Sequence, residues 1–144
     1  MADEKAPVEK VRPALFRAEG TAADPNHPAL LGGRCAACGF VCFPMQTYGC
    51  EACGSTAMEP YAISGRGRLS AFARVHVHAG GGREAPFTVG SIALDDGGVV
   101  RALIDRGSED ALTHDAAMVA VLVRESRPGR GEHDLRFALA SKEA

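Results

Sequence analysis

From Leu69 onward the chain alternates apolar and polar side chains with a period of two. Leu69, Ala71, Ala73, Val75 and Val77 fall on one face, and Ser70, Phe72, Arg74, His76 and His78 on the other. That is the pattern of a strand with one buried side. A glycine-rich stretch, residues 79–82, ends it. Residues 87–94 (FTVGSIAL) predict a second strand with Gly90 as a bulge or bend. The Asp95-Asp96-Gly97-Gly98 run is a hairpin turn, and residues 99–104 pair back as a third strand. Residues 105–115 are polar, with room for one helical turn around Ala111 and Leu112. The continuous apolar run 118–123 (MVAVLV) reads as a fourth strand buried on both faces. Residues 124–133 form a loop. Residues 134–140 alternate again, with Leu135, Phe137 and Leu139 inward, as a fifth strand. Five short strands, with a longer connection between the third and fourth, predict a small Greek-key barrel of the OB type. A two-layer β sandwich is the alternative.

Before Leu69 the alternation is lost and punctuation takes over. Residues 1–13 mix charge with Ala, Pro and Val, and read as a mobile tail or as a segment that docks on a partner. Residues 14–19 suit one helical turn or a short strand, with Leu15 and Phe16 as anchors. Residues 20–28 (GTAADPNHP) are a loop, and residues 64–67 (SGRG) read as a hinge. Between them lies the stretch 32–54, GGRCAACGFVCFPMQTYGCEACG, which holds all five cysteines of the chain. Four form two Cys-x-x-Cys-Gly knuckles, Cys35/Cys38 and Cys50/Cys53, with eleven residues between the pairs. Each glycine that follows, Gly39 or Gly54, permits the positive φ that turns the backbone around the sulfurs. Two such knuckles supply four thiolates at tetrahedral corners, the donor set of a structural Zn²⁺. The expected organisation is a tail and docking segment over 1–28, a rubredoxin-like zinc ribbon over 29–62 and the barrel over 63–141, a mainly β protein.

Composition narrows the function classes. With 144 residues, 46% of them hydrophobic, the chain can bury the core of one domain plus a small stapled module. Sixteen Lys and Arg against eighteen Asp and Glu leave a net charge of −2, which argues against a protein built to hold a polyanionic backbone. No apolar run reaches the length of a bilayer span, and the first residues (MADEKAPVEKVRPALF) lack the build of a secretory signal. The expected location is the reducing cytoplasm, where clustered thiols bind metal or stay free.

Other candidate chemistry is thin. Cys42 lies outside both knuckles and reads as a buried small hydrophobe rather than a ligand or nucleophile. His76 and His78 share a predicted strand face with Arg74, and with His114 they offer a second metal site or a polar pocket; a solvated or interface face is the simpler account. Gly80, Gly81, Gly82 and Arg83 offer backbone amides to a phosphate, without the strand-loop-helix setting that would make this specific. Arg124, Arg127 and Arg130 offer charge-assisted contacts to the phosphates of a coenzyme A handle, or simply a solvated loop. Single-stranded nucleic acid is a known cargo of OB barrels. Here aromatics are 6% of the chain, Trp is absent, and only Phe72 stands on the predicted outer face. A rubredoxin-like iron carrier would use the same knuckles, but has no need of an appended barrel.

The chain resembles the small zinc-ribbon/OB-fold proteins, long catalogued as a domain of unknown function, that accompany thiolases and other acyl-CoA enzymes. The resemblance rests on GGRCAACGFVCFP (32–44), CEACGS (50–55), the linker SGRGRLSAFARVHV (64–77), VGSIALDDG (89–97) and MVAVLV (118–123), and spans about residues 30–139. The LLGGRC entry and Phe43-Pro44 resemble the small subunit of a benzylsuccinate-pathway-type thiolase. The second knuckle departs from the commonest pattern, with Tyr48-Gly49 before Cys50 and Glu51 where proline usually follows. The resemblance implies structural zinc on Cys35, Cys38, Cys50 and Cys53 and no catalytic residues of its own. It also implies a thiolase-fold partner in a two-plus-two heterotetramer, an acyl-CoA substrate, and coenzyme A bound in the complex.

Overall fold

A computed structural model describes residues 15–77, 86–124 and 133–143. The expected tail 1–13, His78, the loop of Gly80, Gly81, Gly82 and Arg83, and Arg127 and Arg130 lie outside the described residues, as does the Arg124 side chain. Two antiparallel sheets make up the fold. The first is built on β2 (Ala29–Cys35), which pairs with β1 (Phe16–Arg17), β3 (Val41–Cys42) and β4 (Met58–Ile63). The chain around Phe16 is therefore a strand, not a helical turn. Phe16 and Leu30 are paired and buried, which fixes β1 against the ribbon.

The second sheet holds β5 (Arg66–Val75), β6 (Phe87–Leu94), β7 (Val99–Leu103), β8 (Ala117–Arg124) and β9 (His133–Leu139), in the order β7-β6-β5-β8-β9. One sheet curls on itself here, so the sandwich alternative falls. The curl stops at a half-barrel. Among the described residues, the β7 and β9 edges are joined by a parallel bridge between Ile104 and Phe137 and by the Asp105 N–H bond to the Phe137 carbonyl, at 2.8 Å. Between β7 and β8 the expected helical turn is a 3-10 helix, Arg106–Ala111. A single turn of α-helix, α1 (Ala140–Glu143), follows β9. No helix among the described residues is long and apolar enough to cross a membrane.

The two sheets share one core. Phe16, Leu30, Val41 and Ile63 from the first pack with Leu69, Ile92, Val100, Ile104, Met118 and Phe137 from the second. Residues 64–67 are accordingly a packed junction and not a free hinge. Gly65 is so close to the Pro28 carbonyl that a Cβ would stand 2.3 Å from its oxygen. The Ala120 N–H bonds the Gly65 carbonyl, and Asp96 Oδ2 accepts the Ser64 N–H at 2.9 Å. The 95–98 turn that supplies Asp96 is the predicted hairpin, with positive φ at Gly97 and Gly98.

Two strand expectations need correction. Leu69 is inward as predicted, but Ala71 and Ala73 are exposed, Val75 is only half-buried and Val77 is 86% exposed. The cause is a bulge. Leu69 pairs with Ile92 and Ala71 with Ser91, so two residues of β5 answer one of β6. One extra residue, Ser70, exchanges the faces of everything after it. Phe72 and Arg74 thus pair with Gly90 and Thr88 on the concave side, not the outer one. Gly90 itself is not the bulge. It is a regular buried position where a Cβ would press on Ile104 and Leu69 at 2.8 and 2.9 Å. In β8, Met118, Val119 and Ala120 are buried on both faces, whereas Val121, Leu122 and Val123 are half-buried.

Candidate metal centre

The local fold of each knuckle is dictated by its own backbone. Gly39 and Gly54 take φ of 84° and 82°, as their place after the second cysteine requires. In the first, the Gly39 N–H bonds the Cys35 carbonyl at 2.8 Å; in the second, the Gly54 N–H bonds the Cys50 carbonyl at 2.9 Å. β2 ends at Cys35 and so delivers the first knuckle, while β4 begins at Met58, just after the second, and pairs with Cys35. The sheet thereby brings the two turns face to face.

The four sulfurs of Cys35, Cys38, Cys50 and Cys53 lie within 4.8 Å of one another, with Cys35–Cys53 at 3.7 Å and Cys38–Cys50 at 3.6 Å. A tetrahedron with metal–sulfur bonds of about 2.3 Å has edges of about 3.8 Å. The donor set and its spacing therefore fit one metal ion. Cys35 and Cys50 are buried, and Cys38 and Cys53 face outward.

Electrostatics point the same way. The backbone N–H of Cys38, aimed at Cys35, holds that thiol down at about 6, helped by Ala37 and against the effect of burial. Burial works to raise Cys50, but the N–H groups of Cys53 and Ala52 outweigh it and hold it low. Their nitrogens lie 3.4 and 3.3 Å from its sulfur. Cys38 receives the lowering effect of the Phe40 N–H, yet sharing its proton with Cys50 and crowding by Cys53 and Cys35 push it up to about 12. Thiolates this close repel, and a dication resolves the conflict.

The remaining predicted site residues are not gathered. Cys42 is buried, pairs with Gly33 across β2 and β3, and directs its thiol to the Pro44 carbonyl at 3.7 Å. The groove it borders, of about 350 Å³ and lined also by Phe40, Val41, Phe43, Glu51, Gly98 and Val99, contains no histidine. His76 and His114 are exposed, and among the described residues the only grouping fit for a metal is the cysteine set.

Three buried carboxylates escape a reading of the sequence. Asp24 bonds His27 Nδ1 through both oxygens, at 3.0 and 2.9 Å, and lies 3.8 Å from Arg66. Asp134 is fully buried, 2.7 Å from Arg136. Glu109 of the 3-10 helix sits 3.8 Å from Arg74, and its Oε2 has no hydrogen-bond partner among the described residues. Only Asp24 and His27 carry a local signal, an Asp-x-x-His spacing within one loop.

Fold and site together define a rubredoxin-like zinc ribbon continuous with an OB-like half-barrel. Residues 22–59 match the family model described as ChsH2, rubredoxin-like zinc ribbon domain. The fold extends the likeness beyond the ribbon. A solved chain described as "Ltp2-ChsH2(DUF35) aldolase" superposes with a TM-score of 0.61 at 22% identity, covering 75% of this chain and 84% of that one. No curated protein sequence matches significantly.

Proposed function

We propose that this chain is a non-catalytic accessory subunit of an acyl-CoA-processing complex, docked on a thiolase-fold catalytic subunit. The observation that carries the reading is the form of the metal centre. Four thiolates around one ion leave no open position for water or substrate, and the ribbon that holds them is welded to the half-barrel by a common core. Likeness of the fold to a chain described as part of an aldolase with two named components supports a partnership with an enzyme subunit. The zinc, one per chain on Cys35, Cys38, Cys50 and Cys53, supplies folding energy to the ribbon and no chemistry. The finer content follows the resemblance: a two-plus-two assembly in the cytoplasm, coenzyme A held in the complex, and an aromatic acyl-CoA such as benzoylsuccinyl-CoA as substrate. The nucleophile and acid–base groups then belong to the partner.

Thiolytic cleavage of a 3-oxoacyl-CoA tests this, with the chain alone, the co-expressed thiolase-fold subunit alone, and the two together. The chain alone is expected to be inactive, and the pair at least tenfold faster than the catalytic subunit by itself. Turnover by the isolated chain would overturn the reading. So would a catalytic subunit whose rate and solubility are the same with and without it.

A further inference from the structure

The bulge that turns Phe72 and Arg74 inward also leaves β5 with an open edge. On its β8 side the ladder runs only from Arg66 to Arg68, and its last bonds are those of the Leu69 N–H to Ala116 and the Asp115 N–H to Leu69. On its β6 side pairing continues to Val75. Residues 70–75 therefore have a neighbour on one side only among the described residues. This edge is apolar: Ala71 and Ala73 are exposed, Phe72 is 46% exposed, and Val77 just beyond stands almost free. On the outer face Ala71, Ala73, Val89 and Ser91 line a shallow groove of about 200 Å³ with Arg101 at its rim. An edge whose outward N–H and C=O groups find no partner among the described residues invites pairing, and stable proteins blunt such edges or fill them.

We propose that the β5 edge, residues 70–75, is where an extended segment of the catalytic partner adds as a strand, a proposal that rests on the accessory-subunit reading above. Charge selects the occupant. Arg74 is ion-paired with Glu109 Oε1 at 3.8 Å, without a hydrogen bond, and is 41% exposed, so its further N–H groups can also meet a carboxylate from outside. His76 lies beyond it with the same parity. A second copy pairing antiparallel about Ala73 would bring the two Arg74 side chains to diagonal positions roughly 7–8 Å apart, where like charges repel. The segment that fits alternates apolar side chains, seated over Ala71, Ala73 and the outer groove, with at least one acidic side chain facing Arg74. Backbone bonds would supply affinity and this alternation the specificity.

Amide hydrogen exchange on the full zinc-loaded chain, alone and co-purified with the thiolase-fold subunit, tests the proposal. Alone, the chain should be monomeric, with the outward amides of 70–75 exchanging quickly; in the complex they should slow at least a hundredfold. Ala71→Lys with Ala73→Lys, at exposed positions, should weaken the complex at least tenfold at unchanged zinc content and Tm. Val99→Lys, on an exposed apolar residue elsewhere, should not. A complex whose 70–75 amides exchange as in the free chain overturns the proposed edge and leaves the accessory reading standing. A free chain that is dimeric with those amides already protected replaces the partner with a second copy. Failure to form any complex removes both readings.

Discussion

Cys42 and Cys53 are chemically identical and differ only in where the backbone puts them. Cys53 shares a 3.7 Å contact with Cys35 in the four-sulfur group, whereas Cys42 turns its thiol to a carbonyl in the core. Cys53→Ser should therefore reduce zinc, measured by inductively coupled plasma mass spectrometry, from about one per chain to less than a tenth, and open the ribbon. Cys42→Ala should keep the zinc and cost about 1 kcal/mol in urea unfolding, the scale of a small packing loss. Protons compete for thiolates, so zinc occupancy should fall as the pH is lowered; an indicator titration from pH 8 to 4 would record it. The cysteine set was readable because its ligands come as two local turns, each announced by a glycine. Glu109 and Asp134 were not, because nothing local marks a carboxylate for burial. For Glu109 the cation is Arg74, far away in sequence on a strand whose faces were misassigned.

At the level of elements, alternation together with the continuous apolar run 118–123 located every strand of the half-barrel, and the alternation failed within one of them. A bulge adds one residue without changing the composition around it, so the alternation of residues 69–77 reads smoothly through the point where the faces exchange. Deleting Ser70, the extra residue, should therefore leave a regular β5–β6 ladder in which Arg74 keeps its place opposite Thr88 and on the Glu109 side, whereas Arg74→Ala should leave Glu109 beside no charge. Arg74 is 41% exposed, so the loss is that of a half-solvated partner, about 1–3 kcal/mol for the carboxylate left behind, and circular dichroism melting should show it for Arg74→Ala and not for the Ser70 deletion. Strand β2 was missed for a different reason. Gly32 and Gly33 suppress its propensity, yet both are needed: a Cβ at Gly32 would stand 2.4 Å from the Cys42 carbonyl oxygen, and one at Gly33 would stand 2.6 Å from Met45 Sδ.

For the whole molecule, the order of ribbon and barrel was legible, and their fusion into one core was not. The contacts that join them, Phe16, Leu30 and Ile63 against Leu69 and Phe137, are long-range and leave no periodic trace. Fusion has a thermodynamic consequence. Calorimetry of the zinc-loaded chain should give one transition, and chelation should lower its Tm as a unit rather than melt the ribbon first. Gly65→Ala, which drives a methyl into the Pro28 carbonyl at the junction, should lower Tm by roughly 10 °C, an overpacking cost of about 3 kcal/mol. It should do so without loss of zinc from the folded protein. One core under both sheets, a four-cysteine metal centre and a strand edge left open among the described residues suit the chain to holding another. The most direct test is the mass of what it forms, by light scattering on the species eluting from size exclusion after co-expression with the thiolase-fold subunit. The account predicts one peak containing both chains at two plus two. Elution of this chain by itself, at its own 15.0 kDa, would contradict it.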